Sequence, residues 1–188
     1  MTKVLFISGS PTSQSRLNGV IQYASDYLQA SDLEVEVLPV IDLPPEDLIF
    51  AKFQSEAVLA ANKKVEEADV IIVSSQVYKA SFTGVLKTYL DLLPQKAFEN
   101  KIVFPLVLAG SVAHLLTIEY SFKPVLTVLG ADVVLPGVYL VDSGISWGQA
   151  GKVEFDQATE ERLIRALDRL RQEAQLRLAG QASKTLEG

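Results

Sequence analysis

Short unbroken apolar runs alternate along this chain with longer stretches whose apolar positions recur every three or four residues. The runs Val4–Ile7, Val70–Val73 and Ile102–Ala109 are rich in β-branched residues. Each reads as a strand covered on both faces, as strands of a parallel sheet are. They set strands over Lys3–Ser8, Asp69–Ser74 and Ile102–Ala109. Glu34–Leu38 alternates charge with Val35 and Val37 and reads as another strand. Val133–Leu135 and Val138–Val141 form a last one, interrupted between its two pieces. Helical spacing predicts helices over Ser15–Gln29, Ser55–Glu67, Thr83–Leu93, Ser111–Leu129 and Asp156–Leu178. Pro94 stops the third, and Ser55 is placed to cap the second. Pro39–Phe53 is a long connection, and Ser143–Phe155, with three glycines, is expected to be loop.

Strands alternating with helices mean an α/β fold around a parallel sheet. Five strands fit a doubly wound sheet with helices on both faces, here taken in the order 2-1-3-4-5. Its ligand site is then expected at the carboxyl ends of strands one and three, where the order reverses. No repeat or linker marks a second domain, so residues 1–178 are read as one domain and 179–188 as a polar tail. At 188 residues the chain is long enough for a substantial core.

The first of those loops, Ser8–Arg16, is a strand-to-helix turn of small residues and hydroxyls. Backbone N–H groups, hydroxyls and the positive end of a helix dipole can meet there, which makes a phosphate cradle. Ser10, Thr12, Ser13 and Ser15 are the hydroxyl donors, with Arg16 and Leu17 opening the helix. The same composition also suits an ordinary connecting turn. The loop lacks the Walker A lysine and the glycines of the dinucleotide fingerprint. No acidic residue stands near it to hold a cation, so a phosphate monoester bound without metal suits it best.

Gln76-Val77-Tyr78-Lys79 follows the third strand. Its apolar, aromatic and amide groups could lie along a flat heteroaromatic ring. Tyr78 equally reads as a packing aromatic, and Lys79 as a surface lysine. Gly110, Ser111 and Val112 bring a backbone and a hydroxyl to the same end of the sheet. Trp147 either covers a site or packs, and His114, the only histidine, reads as a polar residue lining the cleft. No nucleophile–base pair or carboxylate dyad stands out. Hydride transfer between two cofactors needs none, because the protein only positions them.

Charge and composition narrow the partners. A net charge of −6 argues against nucleic acid. The absence of cysteine and the single histidine exclude disulfides, thiolate catalysis and multi-histidine metal sites. With neither a signal peptide nor a membrane-length apolar run, a cytoplasmic protein is expected.

Several blocks together resemble a known family. Gly9-Ser10-Pro11 with Ser15-Arg16, Val77–Ala80 through Leu90–Pro94, Val112–Leu116, and Tyr120 with Lys123–Leu126 are similar to the NAD(P)H-dependent FMN reductases of flavodoxin-like fold. They are most similar to the reductase component of two-component alkanesulfonate monooxygenases. The resemblance runs from about residue 3 to residue 143. It implies FMN at the three loops, its phosphate near Ser10, Ser15 and Arg16, and its ring near Gln76–Lys79 and Gly110–Val112. NADPH is implied as reductant, with NADH possible because Thr12 stands where many members have arginine. A homotetramer is implied as well, together with transfer of reduced FMN to a flavin-dependent monooxygenase in sulfur assimilation. The alternatives are an FMN-retaining quinone or azo reductase and a flavodoxin-like electron carrier.

The helix over 111–129 is apolar almost all round, so it is expected to be buried on several sides, as at a subunit interface. The 39–53 connection is a second expected contact. Pro124 conflicts with the carbonyl of Tyr120, so a kink or π-type bulge is expected at Tyr120. In the resembling reductases this tyrosine marks such a bulge beside the flavin, which implies a role for Tyr120 in letting flavin go.

Overall fold

The computed structural model describes residues 1–186. Its central sheet runs β2-β1-β3-β5-β6, all neighbours parallel. The strands on this path are β1 (Lys3–Ser8), β2 (Glu34–Pro39), β3 (Val70–Tyr78), β5 (Ile102–Ala109) and β6 (Val133–Val134). A two-residue strand β4 (Ser81–Phe82) pairs back on β3, and β7 (Val138–Val141) continues beside β5 where β6 ends. The expected order is therefore present, with the hairpin strand β4 inserted into the count.

Successive strand residues point to opposite faces, so each strand feeds two cores. Leu5, Ile7, Ile71, Val73, Val103 and Val107 pack on one side with α3 (Glu56–Glu67) and α4 (Gly84–Leu90). Val4, Phe6, Val70, Ile72 and Phe104 pack on the other with α1 (Arg16–Gln29) and α6 (Gln157–Leu186). On α1 the buried residues Leu17, Val20, Ile21, Ala24 and Leu28 follow the helical spacing. On α6 the same spacing is kept by Leu163, Leu167, Leu170 and Ala174. Tyr23 and Tyr27 of α1 donate to Glu160 and Asp168 of α6 at 2.7 and 2.8 Å. Burial and that bond to Glu160 push the Tyr23 phenol up to about 12.

The interruption of the last strand has a local cause. Pro105 sits inside β5 and offers no N–H to a neighbour. β6 pairs only with Ile102 and Val103, and β7 resumes at Leu106. Between them Gly137 takes φ +71°, and a side chain there would strike the Pro105 carbonyl.

Four expectations change. The long connection contains a short helix, α2 (Pro45–Ile49), started by Pro45. Ser143–Phe155 is not all loop: β8 (Ile145–Trp147) and β9 (Val153–Phe155) form an antiparallel hairpin. Its Phe155 ring meets Tyr23 edge-on at 4.9 Å. The 111–129 segment is not one buried helix. It is a 3₁₀ turn at Val112–His114, a π-helical turn at Ile118–Phe122 and α5 (Lys123–Val128). Ile118, Phe122, Leu126 and Leu129 are buried, whereas Leu115, Leu116, Tyr120 and Val128 face outward. Finally, α6 runs on to Leu186, so the segment read as a tail is helical that far. Residues 187 and 188, its end, lie outside the described residues.

Candidate functional site

The carboxyl ends of β1, β3, β5 and β7 open on one cleft of about 510 Å³. Its wall is Gln14, Ser15, Arg16, Gln76, Val77, Tyr78, Leu108, Ala109, Gly110, Asp142 and Trp147. Residues from all three expected loops thus meet, joined by the segment after β7.

The first loop is held tightly from behind. The Gly9 N–H donates to the Ser74 carbonyl at 2.8 Å, and the Thr83 hydroxyl donates to the Gly9 carbonyl at 2.6 Å. Ser10 is buried, and its hydroxyl donates to the Thr12 carbonyl at 2.9 Å. It also lies 2.8 Å from the Ser15 hydroxyl and accepts from the Gln76 amide at 3.1 Å. The Asn18 amide donates to the Thr12 and Ser13 carbonyls, both at 3.0 Å. These bonds turn carbonyls inward. Ser15 caps α1 by accepting from the Asn18 N–H at 3.2 Å. Among the described residues, the N–H groups of Thr12 through Arg16 donate to no protein acceptor. They stand at the positive end of α1, whose first turn carries no acidic side chain.

The second loop is a hairpin rather than an open loop. β3 runs on to Tyr78 and turns through Lys79 and Ala80 to β4. Both turn residues have positive φ, +50° and +63°. That is the backbone of a type I′ turn, which usually needs glycine or asparagine. The turn is braced by Ser121 of the π-helical turn, whose hydroxyl donates to the Ala80 carbonyl at 3.3 Å. Phe122 meets Phe82 edge-on at 5.2 Å. The third loop is anchored by Tyr139, whose hydroxyl donates to the Ser111 carbonyl at 2.6 Å. Burial holds that hydroxyl above the ordinary phenol range, so it remains a donor.

Not every expected residue lines the cleft. Leu17 is fully buried in the core beneath α1 and is a packing residue, because helical spacing turns it away from the loop. Ser10 faces inward and braces the loop, spent on Thr12, Ser15 and Gln76. Thr12 and Ser13 are exposed, and Ser13 borders a second cleft of about 520 Å³ that shares Gln14, Ser15 and Trp147 with the first. Lys79, Ser111 and Val112 are exposed outside the wall. His114 lies in the 3₁₀ turn after Ser111, also outside the wall. Ser15, Arg16, Gln76, Val77, Tyr78 and Gly110 do line it.

Gln14, Leu108, Ala109 and Asp142 belong to the wall without having been singled out by the sequence. Asp142 carried a signal, since it is the first charge after the apolar run Val138–Val141. It forms an ion pair with the Arg16 guanidinium. Thr83 also escaped the sequence reading, although its hydroxyl ties the first loop to the hairpin.

An FMN-sized ligand fits these residues. Two polar atoms of the wall, Arg16 Nε and Gln76 Oε1, are buried without a partner among the described residues. One is a donor beside the free amides, and the other an acceptor on the side chain whose amide reaches Ser10. A side chain at Gly110 would meet nothing within 4 Å, so the wall there is open. The cleft has the size usual for a small-molecule site.

Residues 2–145 match the family model described as NADPH-dependent FMN reductase. A Pseudomonas putida protein named FMN reductase (NADPH) is 43% identical over 166 residues, 88% of this chain and 84% of that one. One of the same name from Escherichia coli K12 is 42% identical over 143 residues, 76% of this chain and 75% of that one. Among solved structures, the apo form of the NADH:FMN oxidoreductase EMOB superposes with a TM-score of 0.82 at 33% identity. That match covers 92% of this chain and 90% of the other. The chain therefore belongs to the NADPH-dependent FMN reductase family and is an NAD(P)H-dependent FMN reductase of flavodoxin-like fold.

Proposed function

We propose that the three-loop cleft binds FMN as a diffusible substrate and hands the reduced flavin to a partner flavin-dependent monooxygenase. The observation that carries this reading is the set of free amides from Thr12 to Arg16 beside the unpartnered Arg16 Nε. Those donors would hold the phosphate, and the Ser15 hydroxyl, tied to Ser10 and Asn18, would keep their loop in place. Gln76, Val77, Tyr78 and Gly110 would take the ring, with Lys79, Ser111 and Val112 at its rim. Held there, FMN would supply the hydride-accepting ring for NAD(P)H, and no side chain of this chain would be required as acid or base. The chain's part is to hold the ring edge and to keep the hairpin wall in place.

The resemblance to alkanesulfonate reductase components supports a monooxygenase that acts on organosulfonates. Two exposed apolar surfaces support a homotetramer. One is Ile49, Phe50 and Phe53 of the 39–53 connection, and the other is Leu115, Leu116, Tyr120 and Val128. We place the reaction in the cytoplasm, within one domain over residues 1–178. No described helix is long and apolar enough to cross a membrane.

Tyr120 lies in the π-helical turn whose Ser121 and Phe122 support the hairpin. Deleting Tyr120 removes the extra residue that makes this turn wide. The turn then closes to an α-helix, and the hairpin wall shifts with it. The deletion variant is expected to purify yellow with retained flavin. A colourless variant with unchanged flavin affinity would sink this role.

The test of the whole reading is oxidation of NADPH and of NADH under air, with and without added FMN, on protein purified without flavin. Oxidation should rise and saturate with added FMN. Protein that elutes yellow and ignores added FMN would overturn the diffusible-substrate reading.

A further inference from the structure

Among the described residues of the cleft wall, Arg16 is the one cation and Asp142 the one anion, and they pair. They come from distant parts of the chain, 126 positions apart. Arg16 opens α1 next to its cap, and Asp142 opens the 3₁₀ turn Asp142–Gly144 directly after β7. Their side chains are 38% and 39% exposed. A pair that exposed adds little to folding, so bracing the fold is a weak reason to place it there. The carboxylate also leaves the guanidinium incompletely satisfied, since Arg16 Nε is buried without a partner. Every other polar group at this point, the free amides and the helix terminus, favours an anion. Among the charged side chains of the described wall, Asp142 alone opposes one.

We propose that Asp142 sets the looseness of flavin binding, as the residue that competes with the FMN phosphate for Arg16. This rests on the reading that the phosphate sits at Thr12–Arg16. A phosphate monoester carries about −1.5 to −2 charge near neutral pH. With Asp142 present, the side chains around it sum to zero rather than to plus one. Before flavin arrives the carboxylate occupies the guanidinium. Once flavin is bound, the carboxylate repels the phosphate at close range, where Coulomb terms are large. The result is a site that recognises the phosphate through fixed amides yet does not hold it through a full ion pair. That suits an enzyme whose flavin must leave after reduction.

The experiment titrates FMN and riboflavin into the full-length wild type, D142N and D142E, following quenching of Trp147, the only tryptophan. D142N should bind FMN about tenfold tighter or more. Its riboflavin affinity should not change, because riboflavin has no phosphate. D142E should bind FMN like the wild type. In D142N, KM for FMN and kcat should fall together as release slows, and FMN affinity should drop more steeply with salt. A purely structural role for Asp142 would move FMN and riboflavin alike. D142N that binds FMN equally or more weakly, while the wild type still prefers FMN to riboflavin, overturns the proposal and leaves the phosphate reading standing. Equal wild-type affinity for FMN and riboflavin overturns the phosphate reading itself, and the proposal with it. Melting curves of all three proteins guard against a folding defect, and D142S serves as a second neutral variant.

Discussion

Arg16→Ala is expected to weaken FMN binding about a hundredfold while leaving folding and riboflavin binding almost unchanged. Hydrogen bonds from a charged donor contribute about 1.5–3 kcal/mol each when well placed. Arg16 lies at the mouth of the free-amide cradle, with Nε unspent. Its removal also leaves Asp142 unopposed beside the phosphate, so lost attraction and new repulsion act in the same direction. Folding stability should fall by only about 0–1 kcal/mol, because the lost ion pair is half-exposed. Trp147 lines the same cleft and is the only tryptophan, so quenching of its fluorescence reports binding directly. The double variant R16A/D142N should recover part of the loss. An affinity change of less than about threefold would show that the phosphate lies elsewhere than at Arg16, since even one weak charged bond exceeds that.

Gly9→Ala should lower both stability and flavin affinity. An added Cβ at Gly9 would stand 2.5 Å from the Leu86 Cβ and 3.2 Å from the Ser74 carbonyl oxygen. Leu86 is fully buried, and its Cβ cannot swing aside without α4 moving. The backbone of Gly9 cannot yield either, pinned as it is by Ser74 and Thr83. Overpacking of this kind costs about 1–3 kcal/mol. For a chain of this size that lowers the melting temperature by roughly 2–12 °C. FMN affinity should fall too, because loop and hairpin part at the seam between them. Gly110→Ala is the control: its methyl meets nothing within 4 Å, so the melting temperature should not move. A G9A protein that melts within about 2 °C of the wild type would mean that α4 and the first loop do not approach this closely.

Much of the fold was readable because its signals are local. The runs in β1, β3 and β5 need no partner to be recognised, since a strand buried on both faces is apolar throughout. Ser55 was legible as a cap, and its hydroxyl does accept from the Val58 N–H at 3.2 Å. The strain at Tyr120 was legible too, because the Pro124 ring and the Tyr120 carbonyl are four residues apart. The π-helical turn at Ile118–Phe122 lies where that conflict falls. The exposed faces of the same segment were not legible. Apolar residues all round a helix say that it is costly to expose, and not which side the monomer covers.

From the order of apolar runs, turn residues and charges alone followed the α/β class, the parallel sheet and the three loops whose residues meet at the cleft. These depend on interactions between near neighbours or on handedness rules that hold for any such chain. Three features came from packing across the molecule instead. Ser10 spends its hydroxyl inside the loop because Gln76 and Ser15 reach it there. Thr83 joins loop to hairpin across a separation of 74 residues. Asp142 meets Arg16 because β7 lies beside β5 and its next residue, Asp142, reaches the cleft wall that Arg16 also lines. A charge pair 126 positions apart has no local spacing to read. Its attraction acts through space, and it exists once the sheet has brought the two residues together.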